Sequence, residues 1–197
     1  MYKKLLKRAI DLILALIGLP FLLIILIIIG PIIYFQDKGS IFYNAPRLGK
    51  NGEVFSMYKF RSMKLNAPDL RNKDGSTFNS EGDHRLIQIG KFIRKTSLDE
   101  TPQLLNIIKG DMSIIGPRPD LPEMNKRYTT EEKIKLAVLP GITGYSQAFY
   151  RNSVEQEDKL KQDVFYAKNY SFKLDIKIFF KTLETVILRK NVFKGEQ

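Results

Sequence analysis

The hydrophobic and polar positions of this chain divide it unequally. From Leu12 to Phe35 there is no charged side chain, and the rest is strongly polar. A run of ~20 apolar residues is long enough, as a helix, to cross the hydrocarbon core of a bilayer. A cleaved signal sequence would have a shorter apolar run, ending at small residues, so a retained membrane anchor is expected over residues 1–36. Pro20 and Pro31, with Gly18 and Gly30, interrupt the run. Proline removes a helical hydrogen bond, which lipid does not replace. Two forms follow, a kinked single-pass helix or a re-entrant hairpin, and the pattern alone does not choose between them. Lys3, Lys4, Lys7 and Arg8 place the N-terminus on the cytoplasmic side.

Beyond the anchor the periodicity predicts a small, helix-rich α/β domain over 37–197. Ile41–Tyr43 and Val54–Met63 have strand character, the second with Lys59 and Arg61 two apart on one face. Asn44–Gly52 reads as a polar turn and Asn66–Asp83 as a polar, mobile loop. Helical spacing is expected in part of Arg85–Lys95, through Leu104, Leu105 and Ile108 up to a stop at Gly110, over Thr130–Leu139, and from about Val154 to Lys168. The last helix, about Ser171–Arg189, is amphipathic, with Phe172, Ile176, Phe179, Phe180, Leu183 and Ile187 on one stripe. Such a stripe more often faces a core; beside an anchor it also suits a membrane interface.

Composition narrows the chemistry. The chain has 197 residues, room for one ordinary domain plus the anchor. With no cysteine and one histidine, thiolate nucleophiles, disulfides and His-based metal sites are excluded; His84 reads as a loop residue. The net charge of +11, next to an anchor, fits anionic phospholipid better than nucleic acid.

Three segments carry candidate chemistry. Asp99 and Glu100 stand where a helix begins. Ser97 and Glu100 have capping-box spacing, which alone would explain the acids. A carboxylate there, below Arg94 and Lys95, also suits a nucleophile or Mg²⁺ ligand. Arg118 is held between Pro117 and Pro119, and its planar guanidinium suits phosphate. Pro140-Gly-Ile-Thr-Gly144 is a two-glycine turn that would let backbone approach a ligand.

In series these segments carry more than any one of them. The order Lys7-Arg8-x-x-Asp11, broken apolar segment, Tyr58-Lys-Phe-Arg-Ser-Met63, Ser97-Leu-Asp-Glu100, Lys109-Gly-Asp-Met-Ser113, Gly116-Pro-Arg-Pro119 and Pro140-Gly-Ile-Thr-Gly144 closely resembles the small monotopic phosphoglycosyl transferases. These bacterial sugar transferases start glycan assembly on a polyprenyl phosphate. The resemblance implies a re-entrant membrane helix and a catalytic domain on the cytoplasmic face of the bacterial inner membrane. It implies Asp99 as nucleophile toward a UDP-sugar, Glu100 beside it, and Mg²⁺ near both carboxylates. Lys59, Arg94, Arg118, Gln147 and Arg151 are the implied substrate contacts, and Arg8 meets the lipid phosphate. No nucleic-acid partner is implied, and a homo-oligomer is compatible. The chain departs from the family pattern in two places. Leu19-Pro20 is the nearest equivalent of the family's Ser-Pro at the expected bend, with Gly30-Pro31 a second candidate, and Tyr150 stands where glycine often precedes Arg-Asn, a position expected to bear on the sugar. The rival reading is a non-catalytic, membrane-tethered basic module binding anionic lipid or a partner protein.

Overall fold

The computed structural model describes residues 2–71, 78, 80, 82–150 and 153–188. After a π-helical turn at Tyr2–Leu6, the uncharged run forms one helix, α1 (Lys7–Asp37), with both prolines inside it. At ~1.5 Å per residue it is roughly 46 Å long. Among the described residues it is the one helix long and apolar enough to cross a membrane.

This helix is built into the domain along its length. Ala15 packs with Met57, Ile107 and Met112, and Leu22, Ile29 and Ile33 pack with Phe60, Ile87 and Ile93. Gly18 admits Leu104: a Cβ there would lie 2.8 Å from Leu104 Cδ1. Both ends are held by polar contacts. The Asp11 carboxylate accepts from the Ser113 hydroxyl (2.8 Å) and the Ile114 amide (2.9 Å). Asp37 receives two 2.6 Å bonds from the Arg61 guanidinium, a fork-on-carboxylate pair. The opposite face, with Ile13, Ile17, Phe21, Ile24 and Ile28, is exposed.

Strands β1 (Phe42–Leu48) and β2 (Val54–Phe60) form an antiparallel ribbon around a short turn at Lys50–Gly52. The segment expected as a polar turn is therefore strand as far as Leu48. Pro46 is tolerated because a two-stranded ribbon has outer edges where a missing amide breaks no ladder bond. β2 ends at Phe60, so Lys59 and Arg61 do not share a strand face: Lys59 turns to Glu100 and Arg61 to Asp37.

Helix α2 (Gln88–Lys95), a 3₁₀ turn at Leu98–Glu100 and α3 (Gln103–Lys109) follow. Gly110 ends α3 with φ 102°, a left-handed conformation glycine adopts without strain. The fully buried Asn106 docks α3 on β2, its Oδ1 accepting from the Tyr58 amide (2.9 Å) and its Nδ2 donating to the Ser56 carbonyl (2.8 Å). What is described of the 66–83 loop is anchored by Arg85, which pairs with Asp83 at 2.7 Å and donates to the carbonyls of Pro68 (2.8 Å) and Phe78 (3.2 Å).

Strands β3 (Ser113–Ile115) and β4 (Gly141–Thr143) pair in parallel. Between them the helix expected over Thr130–Leu139 is a shorter 3₁₀ segment, Glu132–Ala137. Helices α4 (Tyr145–Phe149), α5 (Gln156–Asn169) and α6 (Phe172–Ile187) follow, α6 capped by the Ser171 hydroxyl, which accepts from the Leu174 amide at 3.3 Å. On α6 the core reading of the stripe holds only for Phe179, which packs against the cluster of Ile115, Ala148, Tyr166 and Ile178. Phe172, Ile176, Phe180, Leu183 and Ile187 face outward. The inward side carries polar groups with partners: Asp175 accepts from Tyr166 Oη (2.7 Å) and Lys7 Nζ (2.8 Å), and Thr185 donates to the Ala148 carbonyl (3.0 Å).

Candidate active site

Asp99 and Glu100 lie in the 3₁₀ turn that leads into α3. The expected capping box does not form: Ser97 sits at φ 59°, in the left-handed region, and makes no capping bond. The acids are therefore free for another purpose. Glu100 is held from two sides, by Lys59 Nζ at 2.6 Å and Arg118 Nη2 at 3.5 Å. Although burial works against its charge, Lys59 and then Arg118 hold the Glu100 carboxyl down at about 2. Asp99 is the opposite case. It is buried, and its carboxylate has no hydrogen bond or ion pair among the described residues. Burial first, with the neighbouring Glu100 charge, pushes it up to about 6 against the pull of Lys59 and Arg94. One carboxylate is thus locked in place, and its neighbour is desolvated and without a partner.

The surrounding cations come from three elements. Lys59 reaches in from β2. Arg94, in the last turn of α2, donates from Nε to the Ser62 hydroxyl at 2.9 Å, and burial lowers its pKa against the opposing charge of Asp99. Arg118 projects outward between two buried prolines. Its loop is fixed from behind: the Gly116 amide donates to the Thr143 carbonyl (2.9 Å), the Gly141 amide to the Pro117 carbonyl (2.9 Å) and Lys135 Nζ to the Arg118 carbonyl (3.2 Å). The two-glycine turn serves this loop, because a Cβ on Gly141 would stand 2.1 Å from the Gly116 nitrogen. The close approach it allows is backbone to backbone.

Five of the expected site residues therefore converge: Asp99, Glu100, Lys59, Arg94 and Arg118. Gln147, on α4, donates to the Ile142 carbonyl at 3.0 Å, with its Oε1 buried and unpartnered. Arg151 lies outside the described residues. Tyr150 ends α4, its ring 6.5 Å from that of Tyr145. Arg8 donates to the carbonyls of Ile108 (3.3 Å) and Met112 (3.5 Å), satisfying the C-terminal end of α3, about 10 Å of helix away from the acids. Among the described residues no group of three or more His, Cys, Asp or Glu gathers as a metal site. The donor set is the Asp99–Glu100 pair, which suits Mg²⁺ only with substrate phosphates completing its shell.

Two features had no sequence signal. One is a buried network behind Arg118. Lys135 Nζ donates to Asp120 (2.6 Å) and Asp163 (3.0 Å), Ser146 donates to Asp163 (2.8 Å), and Tyr128 donates to Asp120. The other is Arg47, near the end of β1.

The chain belongs to the bacterial sugar transferase family, whose model matches residues 2–189. It is 41% identical over 191 residues to a galactosyl transferase of Streptococcus agalactiae, covering 92% of this chain and 42% of that protein. An undecaprenyl-phosphate galactose phosphotransferase of Salmonella typhimurium is 37% identical over 188 residues, covering 87% of this chain and 40% of that protein. An exopolysaccharide production protein of Sinorhizobium fredii is 35% identical over 198 residues, covering 95% of this chain and 88% of that protein. The chain thus spans about two-fifths of the first two relatives and most of the third.

Proposed function

We propose that this chain transfers a sugar 1-phosphate from a UDP-sugar to undecaprenyl phosphate, through a covalent intermediate on Asp99. The observation that carries the reading is the buried Asp99 carboxylate, without a partner among the described residues, beside a Glu100 kept ionised by Lys59 and Arg118, in a family whose members are sugar transferases. The names of relatives that act on undecaprenyl phosphate support the acceptor.

A carboxylate oxygen of Asp99 attacks the β-phosphorus, the bond to the bridging oxygen breaks, and UMP leaves with that electron pair. An oxygen of undecaprenyl phosphate then attacks the same phosphorus. The bond to Asp99 breaks, which restores the carboxylate and gives undecaprenyl-diphosphate-sugar. Splitting one displacement into two implies ping-pong kinetics. Lys59, Arg94 and Arg118 hold phosphate oxygens and offset their charge. Glu100 keeps Lys59 and Arg118 in place. Mg²⁺, held by these two carboxylates and the phosphates, would neutralise the diphosphate.

The deciding experiment is Mg²⁺-dependent UMP release from a panel of UDP-sugars, with and without undecaprenyl phosphate. Turnover that needs one sugar and the lipid supports the reading. No release from folded, lipid-bound protein favours the tethered binding module. A pH dependence follows from Asp99. The attacking form is the carboxylate, so kcat/KM for the donor should rise with pH to a plateau, with an acid limb near 6 belonging to the Asp99–Glu100 pair. A limb at the ordinary carboxylate range would argue against a desolvated nucleophile.

The membrane geometry belongs to the same proposal. α1 is roughly 46 Å long against a hydrocarbon core of about 30 Å, yet both of its ends are tied to one domain, at Ser113 and at Arg61. A helix standing across the bilayer would put one of those polar attachments on the far side. A helix that enters and leaves by the cytoplasmic face keeps both in reach of water, with the outward stripe of α6 resting on the same leaflet. Replacing the exposed Ile176 and Phe180 together with glutamate should weaken recovery with vesicles containing anionic lipid and leave the melting temperature unchanged. Unaltered vesicle binding would remove α6 from the membrane contact.

A further inference from the structure

Arg47 is a guanidinium with no ion pair among the described residues. It is half-buried, and its hydrogen bond is to the carbonyl of its own neighbour, Pro46, at 2.8 Å. The charged groups acting on it are Arg118, Arg71 and Asp120. Arg71 is paired with Asp69 at 2.6 Å. The Asp120 oxygen that accepts from Lys135 also accepts from Tyr128, so the Asp120 charge is shared with a nearer cation. Arg118 is itself a cation, and the Glu100 it reaches is closer to Lys59. A partly desolvated charge left in this way costs free energy unless a ligand answers it.

Its position is fixed by the backbone. The Leu48 amide donates to the Asp120 carbonyl at 2.8 Å, clamping the end of β1 to the loop that carries Arg118. In the ribbon register Arg47 faces Phe55, and Lys59 faces Tyr43. Residues two apart share a face, so Arg47 and Lys59 project from the same side of the ribbon, about 13 Å apart along the strand. That side also carries Ala45 and Met57, both buried against the domain.

We propose that Arg47 and Arg118 form a two-arginine seat for a phosphate group beside the Asp99–Glu100 pair, a contact that deepens the proposed reaction and rests on it. A planar guanidinium offers a fork of N–H donors to phosphate oxygens, and two such forks suit a diphosphate or a phosphate monoester. In the proposed reaction the group is either the nucleotide phosphate that departs or the phosphate of the lipid acceptor. Burial lowers the Arg47 pKa, and the neighbouring Arg118 charge adds to it.

The test uses the full chain in detergent or nanodiscs, with Arg47→Ala and Arg47→Lys. Binding of inorganic pyrophosphate, followed by calorimetry, needs no turnover. Arg47→Ala should weaken it about tenfold or more, and Arg47→Lys should restore only part, since an ammonium lacks the fork. Kinetics with each substrate varied separately then identify the source. A raised KM for UDP-sugar assigns the seat to the nucleotide, and a raised KM for undecaprenyl phosphate assigns it to the carrier. Pyrophosphate affinity and both KM values matching wild type would overturn the seat. Loss of pyrophosphate binding in Arg47→Ala, with no UMP release from wild type, would keep the seat and reject the reaction.

Discussion

Asp99→Asn should abolish turnover, by about 10³-fold or more, in a protein at least as stable as wild type. The two halves have one cause. The Asp99 carboxylate is buried without a partner among the described residues, so its charge opposes folding at neutral pH. Its folded pKa lies above the unfolded value, so the folded state binds the proton more tightly and becomes more stable as pH falls through about 6. Asparagine has the shape without the charge, and it removes a penalty on the order of 1–3 kcal/mol. Glu100→Gln should behave in the opposite sense. That carboxylate, pulled down by Lys59 and Arg118, stabilises the fold above its unfolded pKa, and losing it leaves Lys59 and Arg118 facing no anion. Melting curves and UMP release on both variants separate the roles. If Asp99→Asn melts well below wild type, Asp99 is a structural acid. If it retains turnover within a few-fold, the nucleophile assignment fails.

Much of this arrangement was legible in the residues because it is local. The long apolar helix α1 follows from an uncharged run, and the α3 stop follows from Gly110. The stiffness of the Arg118 loop follows from its flanking prolines. What was not legible depends on which side of an element meets the rest of the chain. The α6 stripe is visible as a period, but a period does not say whether the apolar face meets a core or a bilayer. What turns most of the stripe outward is Asp175 and Thr185, polar residues whose inward partners come from α5, the start of α1 and α4. Asn106 looks like an ordinary helix residue until the edge of β2 is beside it. The strand through Asn44 and Pro46 was hidden because turn-forming residues are tolerated in a two-stranded ribbon. Ser97 and Glu100 carry a capping pattern that the left-handed backbone at Ser97 does not use.

Lys135→Met should be the most damaging substitution away from the dyad. The Lys135 ammonium lies between Asp120 and Asp163 and reaches the Arg118 carbonyl. Its three partners and their neighbours come from separate segments, so no sequence window contains the network. Burying an ammonium is costly, but removing it leaves two buried carboxylates without their shared cation, which costs more, about 3–5 kcal/mol. For a chain of this size that corresponds to a drop of about 10 °C or more in melting temperature. The pH dependence identifies the cause. In wild type Lys135 holds Asp120 below the ordinary carboxylate range, so stability from that pair is lost as the pH falls. In Lys135→Met burial meets only the Tyr128 and Arg118 contacts at Asp120 and the Ser146 contact at Asp163, so Asp120 rises and Asp163, already raised by burial in wild type, rises further; the variant regains stability as they protonate. The two proteins should therefore differ most near pH 8 and converge near pH 5. A deficit that stays constant with pH would mean lost packing around Lys135 rather than stranded charge. Adding Asp163→Asn to the methionine variant should recover part of the loss at pH 8, because it removes one of the two charges that Lys135 was placed to meet.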